Sequence, residues 1–129
     1  MNFLGLVAVG SGAAVGAWLR WWLGVVLNPV FPTLPFGTLA ANLLGGFLMG
    51  IALAVLSHFE ALPPEIRLLM TTGFLGGLTT FSTFSAEATT LLARLQTGWA
   101  AVHVGAHVVG SILMTFAGIA ATKALLTRL

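Results

Sequence analysis

Residues 73–85 read GFLGGLTTFSTFS, a composition unusual for a segment that crosses a membrane. The stretch holds three glycines, three threonines, two serines and three phenylalanines. It lies within an apolar run over residues 65–94 that would be about 45 Å long as one straight helix, longer than the hydrocarbon core of about 30 Å. Glycine permits departures from helical geometry. We therefore predict two half-helices joined by a non-helical turn at Gly76-Gly77, which Thr79 and Thr80 follow.

The composition of the whole chain indicates an integral membrane protein. Of its 129 residues, 58% are hydrophobic and 6% are charged, against roughly 25% charged in soluble domains. The mean hydropathy is +1.05. Five basic residues against three acidic ones give no basic surface for nucleic acid, so no nucleic-acid partner is expected. The absence of cysteine excludes disulfides, thiolate metal sites and thiol chemistry.

Four segments are long and apolar enough to cross the lipid bilayer, because a spanning helix needs roughly 20 apolar residues. The connections NPVFPTLP, SHFEALPPE and LQTGW contain prolines or polar turn residues and separate these segments. The sequence predicts an all-α integral membrane protein, built as one four-span domain over residues 1–129, whose third helix is broken mid-membrane. The predicted spans are residues 3–27, 36–56, 65–94 and 98–126.

The distribution of basic residues predicts insertion in both orientations. With four spans, Arg67, Lys123 and Arg128 lie on one side of the membrane, and Arg20 and Arg94 lie on the other. Three against two is a weak bias under the positive-inside rule. Two copies of opposite orientation can then pair about a two-fold axis in the membrane plane. We expect this antiparallel, dual-topology homodimer to be the smallest unit that encloses a pathway.

Small residues at helical spacing offer a way to form that dimer. A G-x-x-x-G pair lets two helices approach each other closely in lipid. The same pairs can instead pack helices within one chain, and we expect this of at least one of them. The three pairs are Gly12/Gly16, Gly46/Gly50 and Gly73/Gly77.

Polar side chains in the second and fourth spans are candidates for an ion path. Asn42 needs hydrogen-bond partners in hydrocarbon, so it either bonds a neighbouring helix or donates two hydrogen bonds to an anion. On the fourth span, polar residues recur every four positions and share one helix face. Serine and threonine there can bond their own helix, whereas histidine at membrane depth is typical of a bundle interior or a watery cavity. This stripe consists of His103, His107, Ser111 and Thr115.

Aromatic rings and hydroxyls alternate directly after the predicted break. Phe81 and Phe84 share a helix face, with Ser82 and Thr83 between them. The edge of a phenyl ring is positive and attracts an anion weakly, which suits conduction because a conducting site must also release its ion. Glu87 lies one turn further and is expected at a pore mouth or as a helix-end partner.

Arg20 lies among tryptophans in GAWLRWWLG, as an interfacial anchor would. It can equally hold a positive potential at an anion vestibule. Neutral hydroxyls, an amide, imidazoles and ring edges together predict a narrow path that accepts anions.

Other chemistries are not expected. The two histidines lack a neighbouring carboxylate or cysteine to complete a metal site. No combination of serine, histidine and acid is spaced for catalysis, so we do not expect an enzyme. The first two spans contain no carboxylate, which argues against proton-coupled cation export.

These motifs closely resemble the Fluc fluoride channels of bacteria. The resemblance lies in GFLGGLTTFSTFS, GTLAANLLGG, GAWLRW and GSILMT, and it covers nearly the whole chain. It implies passive, selective export of fluoride from the cytoplasm through two pores of an antiparallel homodimer in the bacterial inner membrane, and hence fluoride resistance. It also implies a structural sodium ion at the dimer centre, which the backbone carbonyls of Gly76 and Thr79 hold in each subunit.

The resemblance further implies roles for individual side chains. Phe81 and Phe84 line the pores by their ring edges, and Asn42 lies along the fluoride path. The remaining polar track of the family falls here on Ser82, Thr83, His103, His107 and Ser111.

Two other functions compete with this one. A small proton-coupled exporter of cationic compounds would share the size, the span number and the dual insertion. A non-conducting assembly subunit would tolerate Asn42→Ala, Phe81→Ile and Phe84→Ile, because helix packing accepts apolar side chains of similar size.

Overall fold

The computed structural model describes residues 1–129, and all its regular elements are helices. A 3-10 turn over Asn28–Val30 follows the first helix, and a π-helical segment, Leu69–Leu75, connects the third and fourth. The α-helices are α1 (Phe3–Leu27), α2 (Phe36–His58), α3 (Pro64–Leu68), α4 (Gly76–Leu78), α5 (Phe81–Ala93) and α6 (Thr97–Leu126).

Three of these stretches are long and apolar enough to cross a membrane, namely Phe3–Val30, Phe36–His58 and Thr97–Leu126. They correspond to the predicted first, second and fourth spans, with ends that differ by no more than three residues. The predicted third span, which begins here at Pro64 and ends at Ala93, is divided among α3, the π-helical segment, α4 and α5.

The predicted interruption of the third span is present, but its position differs from the prediction. The backbone is extended at Thr79, with φ −85° and ψ 156°, and at Thr80, with φ −149° and ψ 120°. Gly76 instead has helical angles of φ −63° and ψ −36°, and Gly77 also lies in α4. The prediction of a non-helical turn at Gly76-Gly77 is therefore wrong.

Gly73 and Gly77 of the third span are needed for close approach rather than for unwinding. A Cβ on Gly77 would collide with the backbone of Ala13 in α1. A Cβ on Gly16 would likewise collide with the backbone of Phe74. The pairs Gly12/Gly16 and Gly73/Gly77 therefore press α1 against the first half of the third span within one chain.

The third glycine pair serves the contact between α2 and α6. A Cβ on Gly50 would collide with the carbonyl oxygen of Thr115, and one on Gly46 would lie 2.8 Å from that of Ser111. Gly118 of α6 meets the backbone of Phe47 in the same way. All three G-x-x-x-G pairs thus pack helices within the chain, as we expected of at least one.

The outer surface of the chain is largely apolar. Buried residues number 21 of 129, so most large apolar side chains face outward. Trp18, Trp21 and Trp22 of α1 are 65%, 73% and 58% exposed. A surface of this kind fits contact with lipid or with another copy, because soluble monomers rarely expose such continuous apolar area.

Candidate functional site

The site is organised around Asn42 of α2, whose amide holds the break in the third span. The Thr80 N–H donates to Oδ1 of Asn42 at 2.8 Å. Nδ2 of Asn42 donates to the Thr80 carbonyl at 3.0 Å. The amide thus bonds both the N–H and the carbonyl of one extended residue. In a continuous helix, these two groups would bond other backbone groups of the same helix.

The same amide also orients a histidine of α6. Nδ2 of Asn42 lies 3.0 Å from Nδ1 of His107. Because Nδ2 is a donor, Nδ1 of His107 accepts, and the proton of the neutral ring lies on Nε2. Both amide hydrogens of Asn42 are therefore engaged by the protein. Of the two roles that the sequence left open for Asn42, this geometry matches the bond to neighbouring elements.

The break deprives several backbone carbonyls of their helical donors, and those of Gly76 and Thr79 are among them. The Thr80 N–H would bond Gly76 in a continuous helix, but it donates to Asn42 instead. The Thr83 N–H would bond Thr79, but it donates to Oγ1 of Thr80 at 3.1 Å. Gly76 and Thr79 are the residues whose carbonyls the resemblance assigns to sodium.

Arg20 approaches the same break from α1. Its Nε donates to the carbonyl of Gly77 at 3.0 Å. Arg20 also lines a cavity of about 290 Å³ together with Thr38, Thr80 and Thr83. Its guanidinium therefore contributes positive charge to a cavity beside the break, and the vestibule role stays a prediction.

Phe84 forms an aromatic stack with the two histidines. Its ring centroid lies 5.2 Å from that of His103 at an interplanar angle of 20°, and 4.7 Å from that of His107. The two imidazoles are 4.5 Å apart. Phe84, His103 and His107 are 7%, 2% and 4% exposed. Phe81 contacts Phe84 at 5.4 Å but is 78% exposed in the single chain.

A groove of about 440 Å³ runs along this stack. Thr80 borders both the groove and the cavity beside Arg20. Ser82 lies outside the groove and is exposed, with its hydroxyl 3.2 Å from that of Thr80. The polar residues and rings that line the groove include Asn42, Thr79, Thr80, Phe81, Phe84, His107, Ser111 and Thr115.

Glu87 of α5 lies beside Thr38 and His103. Oγ1 of Thr38 donates to its Oε1 at 2.6 Å, and its Oε2 lies 3.4 Å from Nε2 of His103. The geometry of this contact is not that of a hydrogen bond, because Nε2 of His103 is directed at the Phe84 carbonyl, which is also 3.4 Å away. Oε2 is therefore buried without a hydrogen-bond partner. Glu87 also borders a polar cavity of about 310 Å³ that Arg94 lines, which is compatible with a pore mouth.

The expectation that no carboxylate stands near the histidines is wrong. Glu87, His103 and His107 each offer a ligand atom, and these atoms all lie within 4.8 Å of one another. Sixteen positions of sequence separate Glu87 from His103, and the packing of α5 against α6 removes that separation.

Thr80 is the central residue to which the sequence analysis assigned no role in the site. Its hydroxyl caps α5, its backbone bonds Asn42, and it borders both cavities. A local signal was available, because a threonine directly before an apolar helical run is a typical N-cap.

Three membrane-capable helices, with a groove lined by α2, α5 and α6 beside the broken third span, are the architecture of a small multi-pass membrane protein. The family model described as CrcB-like protein, Camphor Resistance (CrcB), matches residues 7–119. The chain belongs to this CrcB family, and the resemblance drawn from the sequence is confirmed.

Similar curated proteins carry the name fluoride-specific ion channel FluC. The one from Nitrosospira multiformis is 59% identical over 123 residues, which cover 95% of this chain and 96% of that protein. The one from Aromatoleum aromaticum is 60% identical and covers 95% of this chain and 94% of its own length. The one from Cupriavidus metallidurans is 55% identical over 128 residues, which cover 97% of this chain and 99% of that protein.

Proposed function

We propose that this chain forms a passive, fluoride-selective channel that releases fluoride from the cytoplasm. The observation that carries the proposal is identity of 55–60% over nearly the full length to proteins named fluoride-specific ion channels. The chemistry of the groove supports it, because the groove combines neutral donors with aromatic rings and holds no carboxylate.

Fluoride is a small, hard and strongly hydrated anion. A selective path must replace its water with close donors and must still let the ion leave. Nε2 of His107 is a buried group without a partner, and the ring of Phe84 lies beside it. A neutral N–H and a ring edge attract an anion more weakly than a fixed cation would, so the ion is bound without being trapped.

The working unit is proposed to be an antiparallel homodimer in the bacterial cytoplasmic membrane. The fourth crossing in each subunit is then the broken stretch from α3 to α5. Two features support pairing at this stretch: the 78% exposed ring of Phe81, and an apolar groove of about 490 Å³ that includes Leu69, Met70 and Phe74. A second copy is the proposed occupant of this surface, and the groove beside Phe81 would be closed by it.

A structural sodium ion at the dimer centre is proposed as well. Carbonyl oxygens are hard ligands and suit a hard cation. The carbonyls of Gly76 and Thr79 lack their helical donors, so they fit such an ion. Sodium bound there would be coordinated by the negative ends of these carbonyl dipoles. It would hold together the broken third spans of the two subunits.

The direct test is fluoride efflux from liposomes, measured with a fluoride electrode. Wild type is expected to release fluoride electrogenically and without a proton gradient, whereas Phe81→Ile and Phe84→Ile release it more slowly. A proton-coupled exporter would need the gradient, and an assembly subunit would release nothing. Chloride release as fast as fluoride release would contradict the selectivity.

A further inference from the structure

We propose that Glu87, His103 and His107 form a binding site for a transition-metal dication, for which Zn²⁺ is the probe, and that occupancy blocks the fluoride path. The three ligand atoms lie within 4.8 Å of one another. Two imidazoles and one carboxylate are a ligand set that Zn²⁺ uses, with the fourth position open to water or an anion.

The spacing of the ligands fits tetrahedral coordination. Bonds of about 2.1 Å from Zn²⁺ to nitrogen or oxygen place neighbouring ligand atoms roughly 3.4 Å apart. The distance from Oε2 of Glu87 to Nε2 of His103 is already 3.4 Å. The ligand atom of His107 lies no more than 4.8 Å from the other two ligand atoms. To reach the tetrahedral spacing it must move closer to them by no more than about 1.4 Å, which side-chain rotation can supply.

The bonding state of the ligand atoms is a second, independent observation. Oε2 of Glu87 and Nε2 of His107 are both buried without a hydrogen-bond partner. His103 and His107 are 2% and 4% exposed. Buried polar atoms are rarely left without partners, and a cation shared by Oε2 and a deprotonated Nε2 would satisfy both at once.

Asn42 sets the main cost of loading this site. Its Nδ2 donates to Nδ1 of His107, which places the ring proton on Nε2. Coordination through Nε2 moves that proton to Nδ1, where Asn42 cannot accept it, so the contact between Asn42 and His107 must open. Nε2 of His103 lies 3.4 Å from the Phe84 carbonyl and must also give up that contact. The loss of these two hydrogen bonds is small beside the formation of three coordinate bonds. The site is therefore expected to bind metal, but less tightly than one in which an acceptor faces Nδ1.

Metal at this site would stop fluoride for two reasons. His107 borders the groove and Glu87 borders the outer polar cavity, so the metal stands between them. A dication beside one carboxylate also leaves net positive charge, which holds an anion instead of releasing it. Metal binding itself does not depend on the proposed channel function, whereas the block does.

The experiment measures Zn²⁺ binding to the purified full-length protein by titration calorimetry, with Co²⁺ absorbance to report tetrahedral coordination. One Zn²⁺ per chain is expected. His103→Gln and His107→Gln should each weaken binding at least tenfold, and Asn42→Asp should tighten it about tenfold because aspartate accepts from Nδ1. His58→Gln is the matched control, since His58 is exposed at the end of α2.

A parallel arm measures fluoride efflux with Zn²⁺ and after addition of a chelator. Reversible block in wild type and in His58→Gln is expected. His103→Gln should show weakened Zn²⁺ binding in a normally folded dimer, and this result does not depend on whether the variant conducts. The proposal is overturned if wild type binds no Zn²⁺, if His103→Gln and His107→Gln bind it as tightly as wild type, or if only His58→Gln loses binding. If the protein binds Zn²⁺ but releases no fluoride when Zn²⁺ is absent, the result would count against the channel function alone.

Discussion

Replacing Asn42 should destabilise the protein through the break in its third span. The Asn42 amide makes two bonds to the backbone of Thr80 and one to His107, with distances of 2.8, 3.0 and 3.0 Å. Hydrogen bonds between membrane helices contribute about 0.6 kcal/mol on average and up to about 1.7 kcal/mol. Three bonds of that size predict a loss of roughly 2–5 kcal/mol in the free energy of unfolding.

The variant that isolates these bonds is Asn42→Leu, which keeps the number and branching of the side-chain heavy atoms and removes the amide. Its free energy of unfolding would be measured in mixed micelles by titration with a denaturing detergent, at one protein concentration throughout. Thr90→Ala is the control, because the exposed Thr90 hydroxyl bonds only the carbonyl of Ala86 in its own helix, and it should change stability by less than about 0.5 kcal/mol. An Asn42→Leu protein as stable as this control would refute the reasoning.

Three further outcomes follow from the packing and the caps. Gly16→Ala should lower the free energy of unfolding by about 1–3 kcal/mol by overpacking α1. Gly10→Ala should be nearly neutral, because nothing lies within 4 Å of its added Cβ. Equal losses of stability in thermal denaturation would contradict this. Arg20→Gln should slow fluoride efflux. Arg20→Lys should restore the efflux rate if charge at the cavity matters more than the bond to Gly77. Unchanged efflux in Arg20→Gln would exclude both the charge and the bond as contributions to conduction. Leu95→Gly should stabilise the protein by about 0.5–1 kcal/mol. Leu95 is exposed and has φ 58°, a left-handed backbone angle that glycine adopts more readily. A lower melting temperature of the variant would show that the Leu95 side chain packs in the assembly.

The helices of this protein were largely predictable because long apolar runs between prolines determine them. The ends of α1 coincide with the predicted span, and those of α2 and α6 differ by one or two residues. Interruption of the third span also followed from length, since a continuous helix would exceed the bilayer.

The position of the break was not predictable from local sequence. Two adjacent glycines gave the obvious candidate, but both are helical. Gly77 lacks a side chain because α1 packs directly against it. The chain opens instead at Thr79 and Thr80, where Asn42 from another helix provides the replacement hydrogen bonds. That partner is 38 residues away, so the energetic reason for the break is tertiary.

The grouping of Glu87 with the two histidines was missed for a related reason. Helical spacing brought His103 and His107 together in the prediction, because they share one face of α6. Glu87 belongs to α5, and only the contact between α5 and α6 brings its carboxylate within 3.4 Å of His103. Periodicity describes one helix at a time and does not show which faces of two helices meet.

The property that defines the proposed function is the passage of fluoride alone, without coupling to protons. It is tested most directly by the reversal potential of the protein in a planar bilayer, with a fluoride gradient opposed by an equal chloride gradient. The current should reverse at the equilibrium potential of fluoride and stay there when a pH gradient is added. Reversal near the equilibrium potential of chloride would contradict the selectivity for fluoride, and a shift of the reversal potential with pH would contradict conduction without proton coupling.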